Sequence, residues 1–242
     1  MEVQIAVSKV KKYATSTSGD TVEVIERPNG GVSVVMADGQ SSGRGAKWVS
    51  SFVVRKVISL LADGVRDGAA ARAASDALYT ERGGKVSATL NMLSADFLSD
   101  TLVITRNNPA PVLLARDEEV SMLDEQSKPI GFYRNTRPII NEVQLSAGLT
   151  VVIFTDGITH AGSREGRKMD VDTCLQSILE NESPSSQFIA DSLLKHALKL
   201  DQCRPVDDIS VVALRVVSTP EEDSVEGESL IRRMNVRLPI GP

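Results

Sequence analysis

Alternating and continuous apolar runs divide the chain into short strands and a few helices. Residues 2–7, 20–27 and 31–38 have the character of strands. Asn29-Gly30-Gly31 after Pro28 supplies a turn, so the last two form a hairpin. The small-residue stretch Gly39–Gly45 then leads into a helix over 46–62. Trp48, Val49, Phe52, Val53, Val57, Leu60 and Leu61 recur there at helical spacing and predict a core-facing stripe that includes Trp48. A second helix, rich in Ala and so able to pack closely, runs from Ala69 to about Glu81 and stops at Gly83-Gly84.

Short β runs return at Val86–Leu93, Thr101–Thr105, Val112–Ala115, Val120–Leu123, Pro138–Val143 and 150–155. Two helices follow, over 170–181 and 185–200, the latter opened by Ser183-Pro184, and 209–217 is the final strand. Strand-rich blocks with helices in two pairs predict antiparallel sheets covered by helices, not a βαβ repeat. One domain therefore spans 1–217. In the remaining 218–242, Glu221-Glu222-Asp223 and Glu226 read as an acidic, solvated linker. The end, with Leu230, Ile231, Met234, Val236 and Leu238, reads as either a short docked segment or a disordered tail.

Composition narrows the function classes. The 242 residues are 41% hydrophobic and 24% charged, with a net charge of −5, as in ordinary globular proteins. The one short basic cluster, Lys9-Val10-Lys11-Lys12, argues against nucleic acid as a partner. No apolar run approaches the roughly 20 residues of a membrane-spanning helix, and the N-terminus lacks the order of a secretion signal. Cys174 and Cys203 are far apart and in no metal or redox spacing, which suits two reduced thiols in a cytoplasmic protein. His160 and His196 are too few for a His-rich zinc site. His160 reads as a loop residue near Asp156 with a proton-transfer role open, and His196 as structural.

Three acidic points stand at the edges of apolar β runs: Asp38 after Val32–Ala37, Asp156 after Thr150–Thr155, and Asp207-Asp208 before Ile209–Leu214. An antiparallel third strand would start beside the ends of the other two and gather the carboxylates on one sheet rim. Crowded carboxylates repel, and a hard divalent cation is the usual answer. All the candidate ligands are oxygens, including a carbonyl at Gly39, which favours Mg²⁺ or Mn²⁺ over zinc or copper. Two such ions about 3.5–4 Å apart would activate a bridging water and neutralise a phosphoryl group.

Ala37-Asp38-Gly39, Phe154-Thr155-Asp156-Gly157 and Asp207-Asp208-Ile209-Ser210, in this order and spacing, resemble the signature of the PPM-type metal-dependent Ser/Thr protein phosphatases. Within them the chain is most similar to the bacterial SpoIIE-type branch. Ser18-Gly19-Asp20, Ser87-Ala88-Thr89-Leu90, Asn107-Asn108-Pro109-Ala110-Pro111 and Pro129-Ile130-Gly131 add to the match, which covers about residues 1–217. The resemblance implies an α+β fold, a four-layer α-β-β-α sandwich with two central antiparallel sheets flanked by helix pairs. It implies that Asp38 bridges two Mn²⁺ or Mg²⁺ ions, that Gly39 offers its carbonyl to one, and that Asp156 and Asp207 complete the other. Asp20 would bind through water, while Asp208 would be either a supporting residue or a ligand to an additional weak metal. The helices over 46–62 and 69–82 match a pair that, in this branch, shifts and controls metal binding.

Some positions depart from the family pattern. The loop Gly39–Gly45 is not Asp-Gly-Met-Gly-His-Gly, Asn107 stands where His is frequent, and His160 where Glu commonly follows Asp-Gly-x-Thr. The phosphate-binding arginine of the eukaryotic members has no clear equivalent, and Arg44 is a weak candidate for it. With no sensor, receiver or membrane module read ahead of the catalytic region, the chain is expected to be similar to the stand-alone RsbX-type members. That likeness implies dephosphorylation of Ser/Thr-phosphorylated STAS-domain proteins of a stressosome or partner-switching module. An anti-sigma-factor antagonist is the alternative substrate, and a catalytically weak fold that only binds its partner is the rival from another class. A haloacid-dehalogenase reading fails because Met36-Ala37-Asp38 and Phe154-Thr155-Asp156 lack the first Asp of Asp-x-Asp. A P-loop reading fails because Lys47 is not followed by Ser or Thr.

Overall fold

Two five-stranded antiparallel sheets lie face to face, with helices outside each, in a computed structural model that describes residues 1–180, 184–218 and 232–238. The strands are β1 (Glu2–Val10), β2 (Asp20–Glu26), β3 (Val32–Gly39), β4 (Ala88–Asp96), β5 (Thr101–Asn107), β6 (Val112–Arg116), β7 (Glu119–Leu123), β8 (Ile139–Gln144), β9 (Leu149–Phe154) and β10 (Ile209–Val217). One sheet has the order β1-β10-β9-β6-β7 and the other β2-β3-β4-β5-β8. The helices are α1 (Gly43–Ala62), α2 (Asp67–Arg82), α3 (Asp156–His160), α4 (Val171–Leu179) and α5 (Ser186–Leu200).

The strand period of two explains the layering. Val34 and Met36 of β3 point into a core between the sheets, where they meet Leu93, Ile104, Val151, Ile153, Val212 and Leu214. Val35 and Ala37, their neighbours in sequence, face the other way, onto Val49, Val53, Val57 and Leu61 of α1 and the alanines 70, 71 and 74 of α2. On the far side, Val152, Phe154, Val211 and Ala213 pack against Leu175 and Ile178 of α4 and Ile189 and Leu193 of α5. Three apolar interfaces make four layers, as the sequence resemblance implied.

Helix ends follow local chemistry. Gly83 caps α2 in the left-handed region at φ 60°, and the Ser185 hydroxyl accepts a hydrogen bond from Phe188 N at the start of α5. Ser183, expected to help open that helix, lies outside the described residues, as do Leu230, Ile231 and the acidic stretch from Glu221 to Glu226. Residues 232–238 carry no regular element, and Arg232 pairs with Glu26 at 3.3 Å.

Two local expectations need correction. The glycine-rich stretch is not all loop, since α1 begins at Gly43. Trp48 is not core: it is 38% exposed, stacked on Phe52 and covered by the Arg82 guanidinium at 4.3 Å. The buried stripe of α1 runs through Ala46, Val49, Val53 and Val57, and Trp48 falls beside it.

Candidate metal centre

Strand direction brings the acidic points together, but from both sheets. In one, β10 runs antiparallel to β9, so Val211 near its start faces Phe154 at the end of β9. In the other, β2 runs antiparallel to β3, and its first residue, Asp20, lies directly opposite Asp38. Asp156 does not end a strand; it opens the single turn of α3 immediately after β9.

Asp38 and Asp156 are each followed by a glycine that the close approach of another element dictates. A Cβ on Gly39 would stand 2.1 Å from the Ala46 carbonyl oxygen, and one on Gly157 would stand 2.1 Å from that of Asp208. Only glycine lets α1 and the start of β10 pass so near the two aspartates. The Asp-Gly pairs thus reflect packing around the site and not hairpin turns.

Asp38 is the least compensated group. Loss of water around it pushes its carboxyl up to about 9, and Asp20, Asp156 and Asp207 stand near enough to raise it further by repulsion. The largest effects on it all act in the same direction. Asp20 is fully buried and is pushed up to about 6, again chiefly by burial, although the Ser210 hydroxyl (2.6 Å) and the Thr155 hydroxyl (3.1 Å) both donate to its Oδ2. Its other oxygen, Oδ1, is buried without a hydrogen-bond partner. A buried carboxylate oxygen with no donor, facing a second carboxyl, calls for a shared proton or a cation. The surrounding donors are oxygens of Asp20, Asp38, Asp156 and Asp207, and this set fits a hard divalent ion.

Asp156 and Asp207 form the outer part, with side chains 44% and 33% exposed. Burial raises Asp156, and His160, with its Nδ1 3.7 Å from Asp156 Oδ2, pulls it the other way. Ligand atoms of Asp156, His160 and Asp207 all fall within 4.8 Å of one another. His160, expected in a loop, is the last residue of α3.

Asp208 has a different task. Its Oδ1 accepts from Lys12 N at 2.8 Å and its Oδ2 from Gly19 N at 2.7 Å. It ties the approach to β2 against the start of β10 and so holds Asp20 in register. Asn107 also faces away from the acidic rim, donating to the carbonyls of Lys128 and Arg137, and Arg44 is exposed in the first turn of α1.

Several contributors escaped the sequence reading. Lys9 Nζ and Lys47 Nζ both donate to the Asp20 carbonyl, at 3.1 and 2.8 Å, and Lys12 Nζ stands 3.9 Å from Asp207. Burial lowers the Lys47 ammonium. The Thr155 hydroxyl accepts from Ser210 N at 2.9 Å while serving Asp20, and so links β9, β10 and β2. The basic cluster at residues 9–12 was visible in the sequence, but its place beside the acidic rim was not.

Comparisons with known proteins agree with this layout. A family described as "Stage II sporulation protein E (SpoIIE)" matches residues 28–217. Stage II sporulation protein E of Bacillus subtilis (strain 168) is 21% identical over 235 residues, covering 91% of this chain and 28% of that protein. The chain therefore spans less than a third of that relative. The solved phosphatase domain of SpoIIE from Bacillus subtilis, with a fragment of its regulatory domain, superposes with a TM-score of 0.78 at 19% identity. That match covers 89% of this chain and 64% of the other. RsbX in complex with magnesium is similar with a TM-score of 0.68 at 18% identity, covering 88% and 94% of the two chains.

Proposed function

The chain belongs to the SpoIIE family, and we propose that it is a metal-dependent protein phosphatase that hydrolyses phosphoserine and phosphothreonine. The observation that carries this reading is Asp38: a carboxyl deprived of water and pressed by three other carboxylates, opposite an Asp20 oxygen that is buried without a hydrogen-bond partner. Asp38, Asp156 and Asp207 would hold two Mn²⁺ or Mg²⁺ ions, with the Gly39 carbonyl as a further ligand and Asp20 acting through water. Bound there, such ions supply charge neutralisation of the phosphoryl oxygens and an activated water.

The rest falls to the chain's own groups. Asp20 keeps Asp38 in place across the β2–β3 ladder, fixed in turn by the Thr155 and Ser210 hydroxyls. Asp208 is a positioning residue that clamps Lys12 and Gly19. Asp156 and Asp207 open the site toward solution, where a phosphorylated side chain arrives. Lys12, beside Asp207, provides a positive charge at that entrance.

The substrates we infer are phosphorylated STAS-domain proteins of a stressosome or partner-switching module, acted on in the cytoplasm. The likeness to RsbX and to SpoIIE supports this choice. The free thiols of Cys174 and Cys203 suit that compartment. Among the described residues, no helix is long and apolar enough to cross a membrane. We place the phosphatase domain at 1–217 and an acidic linker with a short tail at 218–242.

The test is release of phosphate from a purified Ser-phosphorylated STAS-domain protein. Turnover with Mn²⁺ that is abolished by EDTA and by Asp38→Asn is expected. Equal turnover by Asp38→Asn, or none by the wild type with either metal, would overturn the reading.

A further inference from the structure

His160 closes the turn of α3 that Asp156 opens, so the two side chains, four residues apart, share one face. Their separation of 3.7 Å exceeds the ~3.2 Å limit of an ordinary N–H···O hydrogen bond. It lies between the two spacings that ligands of one ion adopt, so a small rotation of the exposed imidazole would bring both atoms onto an ion. Two atoms each ~2.1 Å from one ion are ~3.0 Å apart when adjacent in an octahedron and ~4.2 Å apart when opposite. An ion pair within α3 would explain the approach of His160 to Asp156 alone. It would not explain Asp207, which comes from the entrance to β10 and completes a set with all ligand atoms within 4.8 Å.

We propose that His160 is a nitrogen ligand to the outer divalent ion, held with Asp156 and Asp207, and that this biases the centre toward Mn²⁺ over Mg²⁺. The inference rests on the metal-centre reading above. Imidazole nitrogen favours transition metals, whereas an all-oxygen set suits Mg²⁺ equally well. A carboxylate at this position, as in Asp-Gly-x-Thr-Glu, would leave the outer site with oxygen donors only. The side chain is 55% exposed, so it can turn onto an ion without disturbing the core.

Pulsed electron paramagnetic resonance of the full chain loaded with Mn²⁺ tests this directly. A ¹⁴N modulation from imidazole is expected in the wild type and in His196→Gln, and its loss in His160→Gln. In competition binding, His160→Glu is expected to reduce the Mn²⁺/Mg²⁺ affinity ratio about tenfold. Bound Mn²⁺ with the same nitrogen signal in wild type and His160→Gln, or with none in either, would overturn the role of His160 while leaving the carboxylate centre standing. Failure to bind Mn²⁺ at all would overturn both.

Discussion

Metal binding should expel a proton from Asp38, and the size of the effect follows from the site. Between about pH 6 and about pH 9, Asp20 is ionised in the metal-free protein while Asp38 keeps its proton, since burial and neighbouring carboxylates push the two to about 6 and about 9. A divalent ion needs both as carboxylates. Each binding event should therefore release about one proton at pH 7.5, and affinity should rise about tenfold per pH unit. From about pH 6.5 to about pH 8.5 the gain is about 100-fold, or about 2.7 kcal/mol. Below about pH 6 the dependence should steepen as Asp20 also takes up a proton. The sign is fixed by the direction of both shifts: a raised carboxyl penalises the metal-free native state as pH climbs, and the cation relieves that penalty. Calorimetric titration of Mn²⁺ into EDTA-stripped protein, in buffers of different ionisation enthalpy, counts the protons. Asp38→Asn should bind weakly and release almost none. An affinity that does not change with pH over this range would refute the argument that Asp38 is the uncompensated ligand.

Three substitutions probe how the site is held. Gly39→Ala sets a Cβ against the Ala46 carbonyl and is expected to destabilise the fold by about 2 kcal/mol while lowering metal affinity, read by thermal melts with and without Mn²⁺. Thr155→Val removes the donor to Asp20 and the acceptor for Ser210 N; a cost of about 1–3 kcal/mol in urea denaturation is expected, and a neutral result would show that this link is not needed. Arg106 is fully buried and donates to the carbonyls of Asn108, Ala110 and Glu125, so Arg106→Gln should cost about 3 kcal/mol or more and show as a lower melting temperature independent of metal.

The ten strands were legible in the sequence as short apolar runs bounded by turn residues; β3 is continuous because Val34 and Met36 enter one core and Val35 and Ala37 the other. The acidic rim was legible because each Asp interrupts an apolar run at its edge. What pattern alone could not show is that Asp38 lies in a strand of one sheet while Asp156 opens the helix that follows a strand of the other, the two brought together only by packing. It also could not assign Asp208: a carboxylate that binds backbone N–H groups looks the same in sequence as one that binds a cation. The short α3 was hidden because a five-residue helix has too few positions to display a period. Trp48 misled for a related reason: the helical stripe tolerates one flanking position, and cation–π stacking under Arg82 covers it in place of the core.

The most direct measurement is an anomalous-scattering map of crystals grown with Mn²⁺. The account requires peaks within about 2.0–2.4 Å of carboxylate oxygens of Asp38, Asp156 and Asp207, with Asp38 shared between two of them. Mn²⁺ peaks elsewhere on the molecule, with Asp38 and Asp20 sharing only a proton, would contradict it.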